Sequence, residues 1–440
     1  MSDTKLSLKT KLGFGDGDLG GNLFFTVLSF WALNYLTDTV GLAAVGAGAA
    51  LMIGKIWDAF VDPFVGLMSD RTKSRWGRRR PFLLLGALPL GAALAFFFMA
   101  PDLSNQTALF WWVLLMFALL NTAYSFVSVP YSSLTPELTS DYQERMVLNG
   151  YRFGFAILGT ILGAALVQPI LGFFPGERKA GFLAVGIIFG IVVALTALLT
   201  GASVREKGDG PAEKPRSLWK SWADVWKNGP FRVIIGAYTL HLIGITCLSG
   251  MLVYYFKYVL GDEAGTTLAM LLLLVVAMVF IPISVVFSKK FGKVRTYQVA
   301  LVILALAALV VSFFGAGGGT GFVLAVMAGA GVGMGFSYAP PFAIVPDTIE
   351  VEAKKTGRRE EGAYYGLWNF AIKLSQAGGV AGSGVVLGWA GYVADQKQSP
   401  SALMAIQVLI GPVPAAFFLA AAVLLLFYPL DEKTYQKAVG

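Results

Sequence analysis

The chain has 440 residues, 56% of them hydrophobic and 14% charged, with a formal net charge of +8 and a mean hydropathy of +0.68. Soluble domains carry about a quarter charged residues, so this balance excludes an ordinary soluble enzyme, and the basic residues lie in short segments between apolar runs rather than in a nucleic-acid-binding patch. A single cysteine, Cys247, and a single histidine, His241, exclude an intrachain disulfide and a Cys/His metal cluster.

Apolar runs of about 20 residues tile nearly the whole chain. The first six predicted spans cover 20–40, 44–68, 81–100, 107–131, 148–171 and 180–200. The other six cover 231–257, 265–287, 296–315, 320–345, 363–391 and 402–428. Helix is the expected element throughout, because hydrocarbon cannot satisfy an open backbone and the period-2 alternation of barrel strands is missing. The N-terminal tail lacks the apolar core of a cleavable signal, so insertion through the first span is expected. With both termini cytoplasmic, only Arg178, Lys179 and Lys397 among the loop cations fall outside, which predicts that orientation in a bacterial inner membrane.

Chemistry concentrates at the second span. Lys55, Asp58 and Asp62 share one helical face at about 100° per residue. Each would cost about 2.5–3.5 kcal/mol at the bilayer centre, so the face looks into protein or a wet cavity. The two carboxylates repel, and sodium or a proton relieves that repulsion. Pro63 leaves the Ala59 carbonyl without its in-helix donor and offers one more oxygen nearby. The loop that follows, DRTKSRWGRRR, is strongly basic, and SKKFGKVR after the eighth span echoes it. That echo, with the polar stretch 201–230, divides the chain into a six-helix half over 1–200, a linker over 201–230 and a second half over 231–440. The start of the linker reads as a flexible tether, and SLWKSWADVWK as a short helix on the membrane surface.

Further along, Arg152 opens the fifth span and Lys373 lies well inside the eleventh. Both suit a hydroxyl or anionic group of a solute. With Asp58 and Asp62 as the acids plainly within spans, the cavity is expected to be net positive and its solute an acidic sugar or other organic anion. Asn22, Tyr124, Tyr338 and Trp368 supply amide and aromatic groups that suit a carbohydrate. Asp70, Arg71, Asp347, Glu350, Arg358, Arg359 and Glu361 supply opposite charges for a cytoplasmic gate that pairs across the halves. No HExxH, P-loop or nucleophile elbow is present, so no catalytic residue is assigned.

These segments resemble the glycoside-pentoside-hexuronide:cation symporters, a branch of the major facilitator superfamily, along almost the full chain. The matching stretches are KLGFGDGDLGGN, IWDAFVDP, SRWGRRRPF, VPYSSLTPEL, PDTIEVEAKKTGRREEG and Lys373. The resemblance implies a twelve-helix importer that alternates its access, with no cofactor beyond a coupling Na+ or H+. It implies Asp58, Asp62, Ser125 and Asn369 as cation ligands. Asp18, Asn22, Ser128, Arg152, Trp368 and Lys373, with Tyr124 and Tyr338, would line the substrate site. Asn22 and Ser128 stand where the family's melibiose permease has carboxylates, and Val61 stands where it has an amide, which should weaken sodium more than a proton. A glycoside or sugar acid is the expected solute, the bilayer the expected surrounding, and a monomer the expected state. The alternative within the fold is transport of a lysolipid or another organic anion.

Overall fold

The structure is a computed structural model that describes residues 6–134, 138–139, 142–204, 206, 218–356 and 361–430. Among these residues every regular element is helical. Eleven of the described helices are long and apolar enough to cross a membrane. One of them, Lys293–Thr356, has 64 residues and breaks at Gly319, where φ is 72° and ψ −176°. A helix of that length would run about 96 Å against a hydrocarbon core of about 30 Å. It therefore counts as two spans, which makes twelve.

The chain divides into two compact units, residues 1–213 and 214–440. In the first, α1 (Leu8–Asn34), α2 (Ala44–Arg71), α3 (Arg80–Phe97), α4 (Gln106–Ser132), α5 (Tyr142–Ala165) and α6 (Arg178–Ser203) are the spans. In the second they are α7 (Gly229–Tyr254), α8 (Gly265–Phe291), α9 (293–318), α10 (320–356), α11 (Glu361–Trp389) and α12 (Pro400–Ile410, continued by Pro412–Leu424). Asn105, Asn228 and Ser399 start α4, α7 and α12 by accepting from backbone N–H groups of the first turn.

The two units repeat one packing scheme. α1 lies against α5 and α6 as α7 lies against α11 and α12. The first helix of each unit also ends alike, in a π-helical turn: Tyr35–Thr39 after α1 and Tyr255–Leu260 after α7. Each turn is followed by a left-handed glycine, Gly41 or Gly261. Tyr35 accepts from the Ala100 amide at 3.2 Å, and Tyr255 donates to the Val311 carbonyl at 2.8 Å. In both units the tyrosine opening the π turn thus ties the first helix to the end of the third.

α2 shows how burial sorts the side chains. Lys55, Asp58 and Val65 are buried on one face, while Trp57, Phe60 and Phe64 are exposed on the opposite one, an apolar surface suited to hydrocarbon. His241 and Cys247 are both buried in α7; His241 Nδ1 meets the Tyr297 hydroxyl at 2.9 Å, and Cys247 lies 3.5 Å from the Gly379 carbonyl.

Candidate functional site

The carboxylate pair of α2 is met by α4. Ser125 Oγ lies 2.8 Å from Asp58 Oδ1 and 2.7 Å from Asp62 Oδ1. Asp58 is 1% exposed and Ser125 0%. The register of the two helices is fixed nearby by Trp57 Nε1, which donates to Thr122 Oγ1 at 2.9 Å. Thr122 and Ser125, three residues apart, share the α4 face that meets α2. One turn before Asp58, the Lys55 ammonium sits 5.1 Å from the centre of the Phe25 ring.

A second cluster joins α1, α4 and α5. Arg152 Nε donates to Asp18 Oδ2 at 2.5 Å and Nη2 to Oδ1 at 3.3 Å. The Tyr131 hydroxyl lies 2.8 Å from both Asp18 Oδ2 and the Phe14 carbonyl. The guanidinium also sits over the Tyr131 ring, 5.1 Å from its centre. Asp18 thus matches the charge of Arg152, which corrects the expectation of a net positive interior: counting Asp58 and Asp62 as the membrane acids omitted Asp18, and in the first unit the Arg152 cation does not stand in excess.

Asn22 donates its amide to the Asp18 carbonyl at 2.8 Å. Tyr124 stacks on Phe24, with ring centres 4.4 Å apart and planes 5° from parallel. Asp18, Asn22, Tyr124 and Ser128 all line one cavity of about 180 Å³ within the first unit. The structure therefore brings together four of the residues expected to bind substrate. It adds Tyr131, Thr196 and Thr200, which sequence reading did not select. Tyr131 stood in the matched VPYSSLTPEL segment, whereas nothing in the α6 sequence marks its threonines.

The remaining expected site residues belong to the second unit. Trp368 of α11 is 2% exposed and stacks face to face on Tyr238 of α7, ring centres 4.4 Å apart. Phe342 lies between Tyr338 and Trp368, 6.1 and 6.3 Å from them. Asn369 and Tyr338 are exposed and Lys373 is half-buried. Asp58, Asp62 and Ser125 come together within the first unit; Asn369 belongs to the second.

Two of the expected gate residues, Asp70 and Asp347, form ion pairs within their own units. Asp70 Oδ1 accepts from Arg79 Nη2 at 3.1 Å, and Arg79 Nη1 donates to the Ser133 carbonyl. Arg71 is exposed. In the second unit Lys293 Nζ donates to Asp347 Oδ2 at 2.6 Å and to the Ala343 carbonyl at 3.2 Å. Glu350 is half-buried on α10. Arg358, Arg359 and the Glu361 side chain lie outside the described residues.

One residue corrects the reading of 201–230 as a flexible tether from its start. The Glu206 carboxylate accepts from the backbone N–H groups of Arg78, Arg79 and Arg80 at 2.7, 2.8 and 2.8 Å. These are the free donors at the start of α3, where a negative charge is favoured. Gly77 makes room: its φ is 102°, and an added Cβ would fall 2.5 Å from the Glu206 carboxyl carbon. Arg80 Nε adds a bond to the Gly201 carbonyl at 2.9 Å. Further along, the expected surface helix is Leu218–Val225, and its Trp222 packs on Phe370 of α11, ring centres 5.3 Å apart.

Comparison with known proteins now bears on this geometry. The chain is 31% identical to the glucuronide carrier protein homolog of Escherichia coli (strain K12), covering 99% of this chain and 95% of the relative. It is 27% identical to the inner membrane symporter YicJ of the same organism, over 96% and 92% of the two chains. Among solved structures, the nucleoside transporter NupG superposes with a TM-score of 0.63 at 14% identity, covering 96% of this chain and all of NupG, which carries the fold alone. The profile of the MFS/sugar transport protein family matches residues 13–432. The chain belongs to that family, the glycoside-pentoside-hexuronide:cation symporters, and is an integral membrane transporter rather than an enzyme.

Proposed function

We propose that this transporter couples the import of a sugar or glycoside to a proton bound at Asp58, Ser125 and Asp62. The observation that carries the choice of ion is the bridging hydroxyl. A serine hydroxyl has one hydrogen to donate. Ser125 Oγ stands at hydrogen-bond distance from an oxygen of each aspartate. It donates to one; the other contact sets two acceptors against each other unless that carboxyl carries a proton and donates in return. The arrangement therefore suits a carboxyl pair that holds one proton, with Ser125 as the shared partner. The apolar Val61 beside the pair adds no oxygen for a metal ion.

Loading the site removes one negative charge from the interior of α2 and ties α2 to α4; unloading restores the repulsion. That difference is what a solute bound nearby can exploit to bias the conformational equilibrium. Lys373, Trp368, Tyr338 and Asn369 are the second unit's contribution to solute or cation. The similarity to a glucuronide carrier homolog supports an acidic sugar as solute. The family and the distribution of loop cations support the bacterial inner membrane with both termini cytoplasmic.

Uptake of methyl glucuronide and methyl glucoside into proteoliposomes tests the ion. An inward proton gradient at zero sodium should drive accumulation; accumulation that follows only an inward sodium gradient would replace the proton by sodium.

A further inference from the structure

The packing scheme shared by the two units repeats down to single residues. Tyr35 and Gly41 at the end of α1 correspond to Tyr255 and Gly261 at the end of α7. The same alignment sets Asp18 against Tyr238, each seventeen residues before its π-turn tyrosine. Glycines align the fifth helix of each unit. An added Cβ at Gly163 of α5 would lie 2.9 Å from Thr26 Cβ and 3.0 Å from the Leu23 carbonyl oxygen. At Gly379 of α11 it would lie 2.8 Å from Thr246 Cβ and 3.1 Å from the Ile243 carbonyl oxygen, the α7 counterparts of the same two residues. Arg152 and Trp368 each stand eleven residues before those glycines. In the fourth helix of each unit, Tyr131 and Phe342 follow a buried proline, Pro130 and Pro341.

The three residues meet in both units, with opposite chemistry. In the first, Asp18, Arg152 and Tyr131 form the polar cluster described above, and Asp18 and Tyr131 line the cavity. In the second, all three are aromatic. Tyr238 lies flat against Trp368, ring centres 4.4 Å apart and planes 8° from parallel, and Phe342 stands edge-on to both at 6.1 and 6.3 Å. Trp368 is 2% exposed, whereas Tyr238 is half-buried and Phe342 is 50% exposed. Trp368 therefore backs the platform, and Tyr238 and Phe342 present it. His241, held by the Tyr297 hydroxyl, meets the Tyr238 ring at 5.9 Å and adds a second support. On α11, Asn369 is exposed and Lys373 half-buried, one turn apart beside Trp368. Hydrocarbon does not suit an amide and an ammonium on one helical face, so this surface is an interior one.

A stacked, supported ring offers a flat apolar face whose ordering cost is already met by its neighbours. The trio carries no charge and no amide. A sugar ring laid on it would keep rim hydroxyls that these three residues leave unpaired. A flat apolar ring has none to leave, and it gains the stacking energy of an aromatic pair. We infer that Tyr238, backed by Trp368 and flanked by Phe342, is a specificity-determining residue of the second unit whose ring stacks on a flat apolar aglycone, a role that rests on the reading of the chain as a sugar or glycoside symporter.

The test compares phenyl with methyl glucuronide and phenyl with methyl glucoside, read as binding to the purified full-length protein and as half-saturation for uptake. In the series it binds, the wild type should take the phenyl glycoside more tightly than the methyl one. Tyr238→Leu should lower that preference by about 2- to 12-fold, the range of one aromatic pair, and Tyr238→Phe should keep it. Phe342→Leu should lower it in the same direction, and it carries the test if Y238L does not fold. Equal binding of phenyl and methyl glycosides by the wild type, or an unchanged preference in the folded leucine variants, would overturn the inference while leaving gradient-driven sugar uptake intact. Failure of the wild type to bind any of the four glycosides would instead sink the symporter reading and the inference with it.

Discussion

In the proposed coupling, Ser125 makes the difference between two carboxylates that merely repel and a site that holds a proton. Replacing it by alanine leaves Asp58 and Asp62 without their common partner. A hydrogen bond to a charged group is worth about 1.5–3 kcal/mol, so S125A should shift the proton dependence of uptake and reduce its rate by about tenfold or more. Measuring rate against pH for wild type and S125A checks this; superimposable profiles would count against a shared proton. A second cycle belongs to Asp18 and Arg152, whose side chains are 19% and 24% exposed. D18N and R152M should each lower thermal stability in detergent. The double variant should lose less than their sum, with a coupling of about 0.5–3 kcal/mol; strict additivity would show that the pair does not act as one. At this scale the sequence was legible where a polar group stood against an apolar background, as at Asp58 and Asp62, which the structure brings to one hydroxyl. It was silent where the group was ordinary for its setting: Thr196 and Thr200 are small polar residues that membrane helices carry freely, and only the approach of α1 distinguishes them. Asp18 was visible in KLGFGDGDLGGN, yet its pairing with Arg152 spans 134 residues of chain, and no local pattern encodes that.

Among the elements, the loop between α2 and α3 has the most exacting geometry. Its basic sequence announces an inside loop but not its shape. Glu206, from a stretch whose composition reads as tether, occupies the start of α3 and Gly77 bends to admit it. G77A must place a Cβ both at φ 102° and against the carboxylate, and should lose about 1–3 kcal/mol. E206A, which strips three backbone donors of their acceptor, should lose a comparable amount, and E206Q less because it retains an acceptor oxygen. Thermal unfolding of the three variants checks the order, and E206Q being as damaging as E206A would show that charge alone holds the loop. The spans themselves were legible, since hydrocarbon demands long apolar helices. Their ends were less so: the π-helical turns of Tyr35–Thr39 and Tyr255–Leu260 extend the first helix of each unit in a way that average hydropathy does not record.

For the whole molecule, the duplicated packing of six helices and the family match make the transporter reading plain, and the weak echo of the two basic loops was its trace in the sequence. The proposed coupling, taken as one proton to one solute, has a consequence for the driving force. A neutral glycoside moves with a net positive charge, and about 2.3 kcal/mol per 100 mV then favours entry, enough for accumulation of about fiftyfold. A singly charged sugar acid moves with no net charge. At a fixed proton gradient, a negative-inside potential should therefore raise uptake of methyl glucoside and leave uptake of methyl glucuronide unchanged; equal stimulation of both would contradict one-to-one proton coupling. The most direct test of the account as a whole compares concentrative uptake with solute exchange in D58N and D62N. Both variants should bind and exchange solute but fail to accumulate it against a gradient, and full accumulation by both would show that the coupling ion is held elsewhere.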